Sequence, residues 1–60
     1  MMLIVNGKNY GKIKRYYMDD ARHRWVFILH HGLMRLTIKW EAVTSFEYGE
    51  TIRFTVKEVF

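Results

Sequence analysis

Two short stretches of the sequence interleave basic and aromatic side chains. The first reads Lys12-Ile13-Lys14-Arg15-Tyr16-Tyr17, and the second reads Arg22-His23-Arg24-Trp25. Cations neutralise phosphates and release bound counterions, and aromatic rings stack on exposed bases. The pattern therefore predicts a surface that binds DNA or RNA with little sequence preference. The candidate binding residues are Lys12, Lys14, Arg15, Tyr16, Arg22 and Arg24.

A strand over residues 10–18 is expected to position the first stretch. Successive side chains of a strand point to opposite faces. One face should then carry Tyr10, Lys12, Lys14 and Tyr16. The other should carry Ile13, Arg15 and Tyr17. We predict that the first face is the binding surface, with Arg22 and Arg24 across the following turn.

The charge distribution supports a polyanionic partner but allows others. The chain carries a net charge of +4, and residues 1–40 hold eight Lys and Arg against two Asp. Such a positive field attracts nucleic acid or an acidic protein surface. The main alternative is a protein-interaction module, such as a small phage-type regulator or inhibitor that docks on an acidic surface of a larger enzyme. A third interpretation is that the cations only keep a hydrophobic miniprotein in solution.

The composition argues against catalysis, and we expect no enzymatic activity and no cofactor. There is no Cys, Ser45 is the single serine, and Asp19-Asp20 is predicted to form a turn. The sequence therefore offers no combination of nucleophile, general base and orienting group. No glycine-rich phosphate loop is present. On a strand, His30 and His31 would point to opposite faces, so no metal site is expected either.

Alternating hydrophobicity predicts an all-β fold. The alternation is clearest over 33–40 and 51–60. The inward-facing side chains there are expected to be Met34, Leu36, Ile38, Trp40, Ile52, Phe54, Val56 and Phe60. Further strands are predicted over 2–5, 10–18, 24–30 and 43–48, separated by turns at Asn6-Gly7, Asp19-Asp20, His31-Gly32 and Gly49 and by a corner at Glu41-Ala42.

These elements predict an antiparallel meander of five or six strands, forming a small barrel or curved sheet that is SH3-like in scale, with at most a short helix or 3-10 turn. Trp25 and Trp40 are expected to anchor the core. A helix over 13–31 is the competing interpretation, because Ile13, Tyr17, Ala21, Trp25 and Leu29 recur every four residues. The aromatic and β-branched content of this segment favours strands.

The length of the chain bounds its organisation. Sixty residues form a single domain over 1–60, and half of them are hydrophobic. A chain this short without disulfides is often stabilised by a second subunit, so a homodimer is expected. The segment after Met1 is too short for a signal-peptide core, and no apolar run is long enough to cross a membrane. We therefore expect a cytoplasmic protein without membrane contact.

Overall fold

The computed structural model describes residues 1–32 and 34–57. Its strands are β1 (Met2–Val5), β2 (Lys8–Asp19), β3 (Arg24–Leu29), β4 (Arg35–Lys39), β5 (Val43–Glu47) and β6 (Thr51–Val56), and a 3-10 turn spans Trp40–Ala42. The predicted all-β fold is confirmed. The alternative helix over 13–31 is wrong, because those residues form β2, a turn and β3. The predictions for Leu33 and Phe60 lie outside the described residues.

The strands form a single curved sheet in the order β4-β3-β2-β1-β6-β5. Neighbouring strands are antiparallel except β1 and β6, which run parallel. A simple meander was therefore the wrong topology, since the chain returns through β5 and β6 to the free side of β1. β4 and β5 are the two edges of the sheet, so within the described residues the sheet is not closed. No helix in these residues has the length and apolar character needed to span a membrane.

β2 has 12 residues and pairs with two different strands along its length. Its first half pairs with β1 and its second half with β3. Within the first half the β1–β2 register shifts between Asn9 and Gly11, and Gly11 adopts a φ of +95° that residues with a side chain rarely adopt. The Gly11 N–H donates to Asn9 Oδ1 at 2.8 Å and holds this kink. Such irregularities bend and twist a strand, which lets β2 turn from one half of the sheet to the other.

The concave side of the sheet holds the hydrophobic core. Its buried members are Leu3, Phe27, Leu29, Ile38, Ile52 and Phe54. The rings of Phe27 and Phe54 meet edge to face, 5.6 Å between centroids, and so join the two halves of the sheet. The predicted alternation in β6 is confirmed, because Ile52, Phe54 and Val56 face this core while Arg53 and Thr55 are exposed.

The predicted core positions at the ends of β4 are wrong. Met34 is 56% exposed and Trp40 is 48% exposed. Both lie outside the bounds of β4, where the strand alternation no longer applies. Leu36 and Ile38 within β4 do face the core, and Trp25 packs against it as a half-buried side chain.

Candidate nucleic-acid interface

A β-bulge in β2 decides which of its side chains are exposed. Ile13 pairs with Leu29 and Arg15 pairs with Ile28, so Lys14 is an extra residue with no partner position on β3. A bulge of this kind interrupts the alternation of the strand. Lys14 and Arg15 are consequently both exposed, although they are adjacent in sequence.

The predicted division of β2 into two faces is therefore wrong. Tyr10 and Tyr16 pack against the core on the same side as Ile13. The exposed side of the strand carries Lys12, Lys14, Arg15 and Tyr17 instead. The three cations predicted on β2 thus share one side, but the exposed aromatic residue beside them is Tyr17.

Tyr16 is a packing residue and not a free stacking platform. Its ring stacks on Phe27 at 5.8 Å between centroids, and its hydroxyl forms a hydrogen bond with the Tyr48 hydroxyl. Tyr17, by contrast, is 43% exposed. The aromatic member of a binding surface on β2 must accordingly be Tyr17.

The Tyr16–Tyr48 hydrogen bond also changes the titration of Tyr16. This bond, followed by partial burial and by the charge of Tyr48, raises the pKa of Tyr16 above its ordinary value of 10. The neutral hydroxyl stabilises the folded state, so this contribution is present below pH ~10 and is lost as the pH rises through the raised pKa.

We predict that Tyr48→Phe lowers the pKa of Tyr16 towards the value of a free phenol. The measurement is the near-ultraviolet absorbance of tyrosinate during an alkaline titration, with Tyr10→Phe as the control because Tyr10 lies outside this pair. An unchanged pKa in the Tyr48→Phe protein would contradict the role of this hydrogen bond.

The convex side of β2, β3 and β4 presents three cross-strand rows. The strand registers place side chains of one row on the same face of the sheet. The rows are Arg15–Ile28–Arg35, then Tyr17–Val26–Thr37, then Asp19–Arg24–Lys39. Val26 is fully buried although it lies outside the core cluster, since Tyr17 and Thr37 stand directly beside it.

We call this surface the basic sheet face and define it as Lys12, Lys14, Arg15, Tyr17, Arg24, Arg35 and Lys39. The rows contain a single carboxylate, Asp19, whose Oδ2 lies 3.4 Å from Arg24 Nε. Within residues 1–32 and 34–57 the other ion pair is Arg53–Glu47, on a different part of the sheet. The remaining cations of the basic sheet face therefore form no ion pair with the described carboxylates.

The structure brings together part of the predicted site. Lys12, Lys14 and Arg15 lie along β2, and Arg24 lies on the same convex side but is paired with Asp19. Arg22 is exposed in the turn between β2 and β3, beyond the last row. Arg35 and Lys39 were not predicted as site residues. The alternation of β4 indicated that both point outward, but only the β3–β4 register aligns them with Arg15 and Arg24.

Comparisons with the models of known protein families, with curated proteins and with solved structures give no match. The functional interpretation therefore depends on the chemistry of these residues.

A second group of exposed aromatic rings lies at one end of the concave side. Trp25 stacks on Phe46 at 5.9 Å, and Trp40 and Tyr48 extend the group on either side. The expectation that Trp40 anchors the core is thus wrong, although its ring contacts Trp25. Carboxylates follow Trp40 and Phe46 directly in the chain, at Glu41 and Glu47. Glu47 is paired with Arg53, but Glu41 forms no ion pair among the described residues and repels phosphates, so the group is a poor platform for nucleic acid.

The histidines occupy a different position from the one expected. β3 ends at Leu29, so His30 and His31 lie in the following turn, with ring centroids 6.3 Å apart. The argument from opposite strand faces therefore does not apply to them. In the part of the chain that the structure describes, no three His, Asp or Glu side chains are grouped to hold a metal ion.

Proposed function

We propose that the protein binds single-stranded nucleic acid through the basic sheet face. The observation that supports this proposal most strongly is the bulge at Lys14. It leaves Lys12, Lys14, Arg15 and Tyr17 exposed along one strand, beside Arg35 in the same cross-strand row as Arg15. A surface with cations in excess and one accessible ring is suited to a flexible polyanion with unpaired bases.

The mechanism is electrostatic attraction followed by stacking. Each cation that neutralises a phosphate releases a condensed counterion, which supplies affinity without sequence readout. Tyr17 lies between the row of Arg15 and the row of Arg24, so a base stacked on its ring would keep the adjoining phosphates near both rows. Sequence preference is expected to be small, because the cations contact phosphates and a ring stacks on any base.

The salt dependence of binding tests this proposal. With about five phosphate contacts at ~0.7 each, the logarithm of the affinity should fall against the logarithm of salt concentration with a slope of roughly 3 to 4. Fluorescence anisotropy of a labelled single-stranded oligonucleotide measures this slope. Absence of salt-dependent binding to any DNA or RNA at low ionic strength would reject the proposal in favour of an acidic protein partner.

The role of Tyr17 has its own test. We predict that Tyr17→Ala weakens single-strand binding by ~1 to 3 kcal/mol through lost stacking, and weakens duplex binding much less, because paired bases present no free faces. Thr37→Ala, in the same row but without a ring, is the matched control. Equal losses on single strands and duplex would show that Tyr17 does not stack on bases.

The oligomeric state and the cellular location stay predictions within this proposal. A homodimer would place two basic sheet faces on one particle and raise the affinity for a long strand by making the second contact intramolecular. A cytoplasmic location would give access to both DNA and RNA in a cell without a nucleus.

A further inference from the structure

A groove lies on the other side of β4 from the basic sheet face and shares Lys39 with it. It has a volume of about 930 Å³ and is bounded by β4, the β1–β2 hairpin and the end of β6. Apolar side chains line it, namely Val5, Tyr10, Leu36, Ile38, Ala42 and Val56. The charged residues are Lys8, Lys39 and Lys57 against Glu41. The groove thus combines an apolar lining with an excess of positive charge.

The free edge of β4 forms one wall of this groove. The Leu29 N–H donates to the Met34 carbonyl at 2.8 Å, and the Trp40 N–H donates to the His23 carbonyl at 2.9 Å. In an antiparallel pair the hydrogen-bonded positions alternate, so Leu36 and Ile38 are the β4 residues bonded to β3.

Thr37 and Lys39 therefore point their backbone N–H and C=O groups away from β3, towards the groove that both residues line. Among the residues that the structure describes, no hydrogen bond engages the N–H and C=O of Thr37 or the N–H of Lys39, whereas Lys39 is the N-cap of the 3-10 turn and its C=O accepts a bond from that turn. Such a free edge is a template for pairing with another strand.

We propose that this groove binds an extended acidic peptide of a partner protein, which joins the six-stranded sheet at β4. Strand addition of this kind takes its affinity from main-chain hydrogen bonds and its specificity from pockets for alternate side chains. The three lysines against one glutamate select acidic residues over basic ones. This inference is independent of the proposed nucleic-acid binding, although Lys39 belongs to both surfaces.

The register of β4 specifies the pattern of the peptide. Residues opposite Leu36 and Ile38 would point to the concave side and contact the apolar lining. A residue opposite Lys39 would point to the convex side, where a carboxylate meets the ammonium group. The preferred ligand therefore alternates apolar and acidic residues, and further carboxylates at its ends would reach Lys8 and Lys57.

Amide hydrogen exchange on the full chain tests this arrangement at single residues. The probe is a labelled peptide of alternating Glu and Val, and the controls are alternating Lys and Val and a polyglutamate of equal length. We expect the Glu–Val peptide alone to slow exchange at the Thr37 and Lys39 amides. The Leu36 and Ile38 amides should be protected before and after its addition, because they bond to β3.

Three results would overturn the proposal. The first is protection of Thr37 and Lys39 in the protein without peptide, which would mean that the edge is already covered. The second is equal binding of polyglutamate, which would mean charge attraction without strand pairing. The third is protection of these amides by an oligonucleotide, which would assign the groove to nucleic acid.

A pair of charge variants gives a second readout. Lys8→Gln with Lys57→Gln should weaken Glu–Val peptide binding roughly twofold to thirtyfold, the range for two exposed ion pairs. Lys14→Gln with Arg15→Gln removes the same charge from β2, which lies two strands away from the β4 edge, and should leave peptide binding unchanged. Equal weakening by both pairs would also overturn the proposal.

Discussion

Replacement of Phe27 by Ala is expected to leave a large fraction of the protein unfolded at 25 °C. Phe27 is fully buried, stacks on Tyr16 and meets the Phe54 ring from the other half of the sheet. Removal of a buried Phe side chain costs ~3 to 5 kcal/mol, through lost transfer free energy and the cavity left behind. The whole free energy of unfolding of a 60-residue domain is only about 3 to 9 kcal/mol.

Urea unfolding followed by tryptophan fluorescence measures this loss of stability. Thr55→Ala is a suitable control, because Thr55 is exposed on β6 and its side chain lies outside the core. The control should change the free energy of unfolding by less than ~0.5 kcal/mol. A Phe27→Ala protein that unfolds at the same urea concentration as the unsubstituted protein would contradict the position of Phe27 at the junction of the two halves.

The second large effect is expected in nucleic-acid binding, when Lys12, Lys14, Arg15 and Arg35 are all replaced by Gln. All four are exposed, and none forms an ion pair among the described residues, so the fold should be retained. Four lost phosphate contacts should flatten the salt slope by about 2.8. If the two proteins bind with equal affinity at 1 M salt, this change of slope lowers the affinity of the variant at ~50 mM salt on the order of 10³-fold.

The circular dichroism spectrum of this fourfold variant should match that of the unsubstituted protein. The anisotropy titration with a single-stranded oligonucleotide then reports the loss of charge contacts alone. Retention of affinity within about threefold would mean that the phosphates bind elsewhere on the chain.

Much of the fold could be predicted where strands are regular. β6 has no register shift against β1, so the alternation of Ile52, Arg53 and Phe54 in the sequence matches their burial. The turn residues, such as Asn6-Gly7, likewise marked the strand ends. The parallel pairing of β1 with β6 could not be predicted, because it joins residues about fifty positions apart and depends on the curvature of the whole sheet.

The candidate site was harder to predict because it lies on the least regular strand. The kink near Gly11 has a signal in the glycine itself, but the bulge at Lys14 has none, since any residue can occupy it. The extra residue shifts the alternation of the strand by one position. Tyr16 therefore packs against the core and Tyr17 is exposed, although Tyr16 was predicted on the binding surface. Arg35 lies in the same row as Arg15 only because of the β2–β3 and β3–β4 registers. The alternation within a single strand does not show how two strands align. The free edge of β4 could not be read from the sequence, since it depends on which strands remain unpaired.

The most direct test of the basic sheet face is a comparison of two variants that each lose two positive charges. One is Arg15→Gln with Arg35→Gln on the convex side, and the other is Lys8→Gln with Lys57→Gln at the groove. The measurement is the salt slope of single-strand binding by fluorescence anisotropy. The basic sheet face predicts a slope flattened by about 1.4 for the first variant and by less than ~0.5 for the second. Equal flattening in both would show that binding follows net charge and not this surface, and would contradict the proposed site.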